Sequence, residues 1–352
     1  MRGTSFPRRR ESRTGPAGKR SKSAAMRAWR MIFASIFLFF AVSEVALPAA
    51  CTSPAPACTE WVSAAQAPGS TLVYRTHALD VGNEAITRAL VVIHGIGRNA
   101  DSYFRTAVMA ASRAAALENT AVVAPRFASG DGNCRDVLAP REVNWICTGP
   151  ESWRNGGPAL GHPGITSYDF VDALVERLAR RDVFPNLKSI VVAGHSAGGQ
   201  LVGRYAMSSP LHERLGVPVT YVVANPSSYT YPDDLRPAVT VAGCAGFDRW
   251  PYGLQDRRGY SARFPRVALT KQLVERPITF LVGELDVLQQ QSFDASCEAM
   301  AQGPTRLARG LAYVKHLNER HGARHRALVV PACGHSARCM FTSDAALPFL
   351  FP

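Results

Sequence analysis

Acidic residues are almost missing from the start of the chain. Residues 1–30 hold ten Lys and Arg (Arg2, Arg8, Arg9, Arg10, Arg13, Lys19, Arg20, Lys22, Arg27, Arg30) against one acid, Glu11. The 352 residues carry a formal net charge of +13, so nine of those charges lie in this segment and +4 is left for the remainder. A body so nearly balanced offers no basic face, which argues against a nucleic-acid module. Long apolar runs are lacking too. The run from Met31 to Val42, with Glu44 just beyond it, is too short to span a bilayer comfortably. Nor is there a second tight ligand cluster beside Cys333-x-His335-x3-Cys339, so a metal site there has no partners.

What the N-terminus does contain is a basic segment ending in Arg30, an apolar run, and then Leu47-Pro48-Ala49-Ala50-Cys51. That is the three-part form of a secretory signal. Residues 1–25 are out of place before a signal, and Met26 or Met31 would each serve as a start. Cys51 and Cys58 follow small residues, which leaves lipid attachment open; an uncleaved anchor, hence a membrane tether, is the other alternative. The expected location is secreted or periplasmic. Such a compartment permits disulfides among the other six cysteines. Nearest-neighbour pairing would join Cys134 to Cys147, Cys333 to Cys339 and Cys244 to Cys297, although spacing alone proves no connectivity. The expected organisation is a leader over 1–50, a Pro/Ala/Ser-rich tether over 51–70 and one domain over 71–352.

The most informative stretch is Lys188 to Tyr205. Ile190, Val191, Val192 and Ala193 form an apolar run suited to a strand buried on both faces. Gly194-His195-Ser196-Ala197-Gly198 follows, and then Leu201, Val202, Tyr205 and Ala206 recur at helical spacing. With 28 glycines in the chain, a G-x-S-x-G alone is weak; a glycine-rich turn that packs or binds an anion is the bland alternative. The flanking strand and helix supply the context in which such a serine sits exposed on a sharp turn, at a helix N-terminus that favours negative charge.

Elsewhere short apolar runs alternate with helical patterns. Strands are expected at 71–76 and 78–81 (a hairpin or ribbon), 89–93, 121–124, 219–224, 278–282 and 327–330. Helices are expected at 101–117, 165–181 and 306–321, with a further helix at the end. This is the pattern of a mostly parallel sheet covered by helices on both faces, in which sites gather at the carboxyl ends of strands. His94-Gly95, Ser196, Asp286 and His335 all fall just past such ends.

On these residues the sequence resembles the α/β-hydrolase superfamily over roughly 71–350, in its secreted, serine esterase- or lipase-like form. The order Ser196, Asp286, His335 matches that family's nucleophile, acid and base. His94-Gly95-Ile96-Gly97 matches its oxyanion loop, though without the longer HGGG form. The resemblance implies the α/β-hydrolase fold, with loop excursions at 126–164 and 225–272 serving as a cap. It implies an oxyanion hole from the N–H groups of Ile96 (ahead of Gly97) and Ala197, and neither cofactor nor metal. Glu284 and Asp294 are rivals to Asp286. His94 and His195 read as structural, the first anchoring the loop and the second packing at the turn. Trp145, Trp153, Tyr229, Tyr231, Trp250 and Tyr252 either line a pocket or simply pack.

The function implied is ester hydrolysis on a small-molecule or polymeric ester. A peptidase or acyltransferase on the same fold is the enzymatic alternative, and a catalytically idle binding protein the non-enzymatic one. Sequence leaves the oligomeric state open.

Overall fold

The computed structural model describes residues 49–352, apart from 66, 238–242 and 290–291. All but the last two residues of the expected leader therefore lie outside the described residues. The described residues form ten strands: β1 Thr59–Val62, β2 Thr71–Arg75, β3 Arg88–Ile93, β4 Thr120–Pro125, β5 Pro158–Ala159, β6 His162–Thr166, β7 Ser189–His195, β8 Val219–Ala224, β9 Ile278–Gly283 and β10 Arg326–Val330. The α-helices are α1 Ala100–Arg113, α2 Ser167–Leu178, α3 Ala197–Ser208, α4 Arg266–Glu275, α5 Cys297–Met300, α6 Arg306–His321, α7 Ala337–Phe341 and α8 Leu347–Leu350.

Eight strands form one sheet in the order β1-β2-β4-β3-β7-β8-β9-β10. It is parallel from β4 to β10, while β2 runs antiparallel to both β1 and β4. The central strands are buried on both faces because each alternates apolar side chains between two cores. Leu90, Val92, Val191, Ala193, Val222 and Leu281 point to the side of α1, α7 and α8, among Phe104, Met340 and Leu350. Val91, Ile93, Val192, Val223 and Phe280 point to the side of α2, α3, α4 and α6, among Leu174, Leu201, Leu269 and Tyr313.

Two sequence expectations are corrected. The stretch 51–70 is not a free tether: Thr59–Val62 is the edge strand, and Cys51 is bonded to Cys58. That bond also leaves neither thiol free to carry a lipid. Residues 78–81 are not a strand either. The Leu79 N–H donates to Glu60 Oε2 (2.9 Å), and Arg75 binds the same oxygen (2.6 Å), so β1 takes the place beside β2 that those residues were expected to fill. The excursion over 126–164 is ordered by the Cys134–Cys147 bond and the β5–β6 hairpin. Helix α2 opens on a capping box: Thr166 and Asp169 satisfy each other's backbone N–H groups.

Candidate active site

The turn between β7 and α3 holds Ser196 at φ 59°, ψ −119°. A non-glycine residue there is strained by about 1–3 kcal/mol, and the strain persists only because packing fixes it. The glycines make that packing achievable. A Cβ on Gly194 would overlap the Gly198 carbonyl, and one on Gly198 would overlap the Ile93 carbonyl. The strand and helix can thus approach to backbone contact, and the serine is left at the helix N-terminus.

His335, in the loop between β10 and α7, reaches this serine. Its Nε2 lies 2.9 Å from Ser196 Oγ, and its Nδ1 lies 2.7 Å from Asp286 Oδ2. An ionised carboxylate can only accept, so Nδ1 carries the proton and donates to Asp286. Nε2 is then the acceptor for the Ser196 hydroxyl. Ser196, Asp286 and His335, far apart in sequence, are thereby brought together. The rival acids are used elsewhere: Glu284 accepts from the Ala332 N–H, and Asp294 accepts from Tyr252 and Ser296.

Several residues that hold this trio escaped the sequence reading. Arg306, at the start of α6 and fully buried, donates to Asp286 Oδ1 (3.3 Å) and to Ser227 Oγ (2.9 Å). The only sequence hint was a cation at a helix N-terminus, where the dipole disfavours it. Asn225, at the end of β8, accepts from the Gly283 N–H and donates to the Gly334 carbonyl, tying the Asp286 turn to the His335 loop. That loop is closed by the Cys333–Cys339 bond. Two joined sulfurs offer no thiolates, so the Cys-His-Cys metal alternative fails on chemistry.

His94 anchors the loop carrying Ile96. Its Nε2 accepts from the Phe127 N–H (2.9 Å), which places the proton on Nδ1, the donor to the Gly95 carbonyl (2.8 Å). Burial against Trp153 and Phe127 pushes its pKa down to about 4, so it stays neutral. Among the described residues nothing accepts from the N–H of Ile96 or of Ala197, and both residues line the cavity at Ser196. His195 packs as expected, its Nδ1 3.1 Å from the Tyr103 hydroxyl and its ring 4.6 Å from that of His335. Burial, and then the neighbouring His335, hold its pKa well below the usual range. Of the six aromatics, five are buried packing residues; Tyr252 alone of them lines a cavity at the serine.

Two lobes meet at Ile96, Ser196 and Ser292. One, about 540 Å³, includes Gly95, Gly97, Tyr103, His195, His335 and Ala337. The other, about 360 Å³, includes Ala197, Gln200, Thr148, Arg154, Tyr252 and Asp294. Away from both, Asp233, His316 and His321 converge closely enough to hold a metal ion. The Cys244, Cys297 and Glu298 group converges as closely, but its sulfurs are joined and offer no thiolates.

No protein-family model and no curated protein matches the sequence. Solved structures do. A poly(3-hydroxybutyrate) depolymerase from Bordetella parapertussis is 26% identical, with a TM-score of 0.57 over 81% of this chain and 85% of its own. A poly(aspartic acid) hydrolase from Sphingomonas sp. KT-1 is 23% identical, with a TM-score of 0.61 over 87% of this chain and 100% of its own. The sheet order, the turn at Ser196 and these likenesses define the class: the chain is an α/β-hydrolase by fold.

Proposed function

We propose that this protein is an exported carboxylic ester hydrolase that works through Ser196, His335 and Asp286. The observation that carries the reading is the unbroken relay from carboxylate to imidazole to hydroxyl, at 2.7 and 2.9 Å. Ser196 Oγ attacks the acyl carbon as His335 Nε2 takes its proton. Asp286 holds the tautomer and stabilises the imidazolium that forms. The N–H groups of Ile96 and Ala197 receive the oxyanion, each such donor typically worth about 3–4 kcal/mol. His335 then protonates the departing alcohol, leaving an acyl-enzyme. Water, deprotonated by the same imidazole, releases the carboxylic acid.

The likeness to a depolymerase of a polyester supports an ester as the bond cleaved and a polymeric ester as one candidate substrate. Four disulfides fit an oxidising compartment outside the cytosol. Among the described residues no helix is long and apolar enough to cross a membrane. A fluorophosphonate probe tests the reading: it should label the wild type and not Ser196→Ala. p-Nitrophenyl esters should be turned over far faster than the matching anilides. An unlabelled wild type, or equal labelling of the variant, would overturn the proposal.

A further inference from the structure

The smaller lobe of the cleft carries one cation, Arg154, and one carboxylate, Asp294, on its lining. Arg154 lines it, and among the described residues no group accepts a hydrogen bond from its guanidinium. The nearest carboxylate in the lobe, Asp294, is already engaged. Its Oδ2 accepts from the Tyr252 hydroxyl (2.9 Å), and its Oδ1 accepts from the Ser296 hydroxyl (2.7 Å) and N–H (3.2 Å).

Three more arginines stand directly behind the lobe's wall. Arg204 and Gln200 both donate to Ser228 Oγ. Arg306 donates to Ser227 Oγ, and Arg309 to the Ser227 carbonyl. The guanidinium groups of Arg306 and Arg309 lie 5.2 and 4.3 Å from the Phe293 ring centroid. Of these three only Arg306 meets a carboxylate, Asp286. Arg204 Nη1 and Arg306 Nη2 are buried without a partner. Four guanidinium groups thus surround the lobe against two carboxylates, Asp286 and Asp294. Glu298 lines a neighbouring cavity that Arg154 also lines. Burial of cations in such excess is costly unless something negative completes the set. In keeping with this, burial pulls the pKa of Arg154 below its usual value, and that of Arg204 down to about 10.

The chemistry at Ser196 says which part of a substrate enters. His335 must protonate the leaving oxygen, so the leaving group lies in the larger lobe, which His335 lines; the acyl group takes the smaller. We propose that the Arg154 lobe is a subsite for an acyl group bearing a carboxylate, so that the preferred substrates are monoesters or polyesters of acidic acyl units. The assignment of the lobes rests on Ser196 and His335 acting as described above.

Two measurements keep this inference separate from that one. The first compares the p-nitrophenyl monoester of glutaric acid with p-nitrophenyl pentanoate, its uncharged counterpart of equal length. The wild type should favour the charged ester by about ten-fold or more in kcat/KM, as expected when a charge-assisted contact is present in one substrate only. The preference should shrink with added salt. Arg154→Gln should collapse it, and Arg154→Lys should restore part of it. The second uses Ser196→Ala and free glutarate: calorimetry should detect binding that Arg154→Gln in the same background abolishes. Turnover of both esters without a charge preference, or a preference that survives Arg154→Gln, overturns the subsite. So does glutarate binding that ignores Arg154. Arg154-dependent glutarate binding in a protein that no fluorophosphonate labels would instead sink the nucleophile assignment and leave the anion site standing.

Discussion

His94 holds two backbone groups at once, and only the neutral ring can do so. Protonation at Nε2 would set a donor against the Phe127 N–H. Its folded pKa, about 4, lies below the ordinary 6.5. The stabilisation is therefore complete above pH 6.5 and is lost as the pH falls toward 4, by roughly 3 kcal/mol over that window. His195, also buried and neutral, acts in the same direction. Urea unfolding at pH 7 and pH 4.5 should show a marked loss of stability, and His94→Asn should flatten part of the slope. A slope unchanged by that substitution would show that the ring does not carry the effect. Below this window Asp233 takes over. Burial opposes its ionisation, but donors from His316 and His321 outweigh that and hold its pKa well below the usual carboxylate range. That contribution is present above the ordinary carboxylate pKa and is lost as the pH falls further.

At the scale of elements, the loop from Val330 to Ala337 is the piece whose geometry matters most. It is short, and the Cys333–Cys339 bond, the Asn225 contact to Gly334 and the Leu285 N–H to the Cys333 carbonyl all restrict it. Under the proposed mechanism, restricting it fixes where the His335 imidazole points before substrate arrives. Opening the bond by Cys333→Ser with Cys339→Ser should lower kcat roughly ten-fold or more, since small misplacement of a reacting group is costly. KM should change less. Undiminished turnover in the double variant, or in fully reduced wild type, would remove the loop bond from the account. The elements themselves were largely legible. Strands β3, β4, β7, β8, β9 and β10 are legible to within a residue or two, because each is an apolar run with no other place to go. Helix α6 is legible to the residue, since its pattern is bounded by Thr305 and Gly322, which caps it in the left-handed conformation. Strand β1 is not, because its sequence, TEWV, has one buried residue and gains its identity only from pairing with β2.

For the molecule as a whole, the four bonds staple loops around a core that the sheet already organises. The Cys244–Cys297 bond closes the longest ring, with a separation of 53 residues. Chain entropy assigns it about 4 kcal/mol, against about 2 for the short Cys333–Cys339 ring. Removing Cys244 and Cys297 together should therefore lower the unfolding midpoint more than removing Cys333 and Cys339, while the second pair should affect kcat more. The reverse order in thermal or urea unfolding would count against this division between stability and positioning.

The sequence by itself determined the parallel strands of the sheet, the sharp turn at Ser196 and the order in which an acid and a histidine follow. These depend on local pattern: apolar runs, glycines that permit close approach, and helical spacing. It did not determine what surrounds them. That Arg306 is buried against Asp286, that Asn225 braces the histidine loop, and that Arg154 faces the serine across a cavity are consequences of chain crossings between distant segments. An arginine's sequence neighbours do not reveal whether its charge ends in water or in a cleft; only tertiary packing decides which charges meet a partner and which are left facing the cleft.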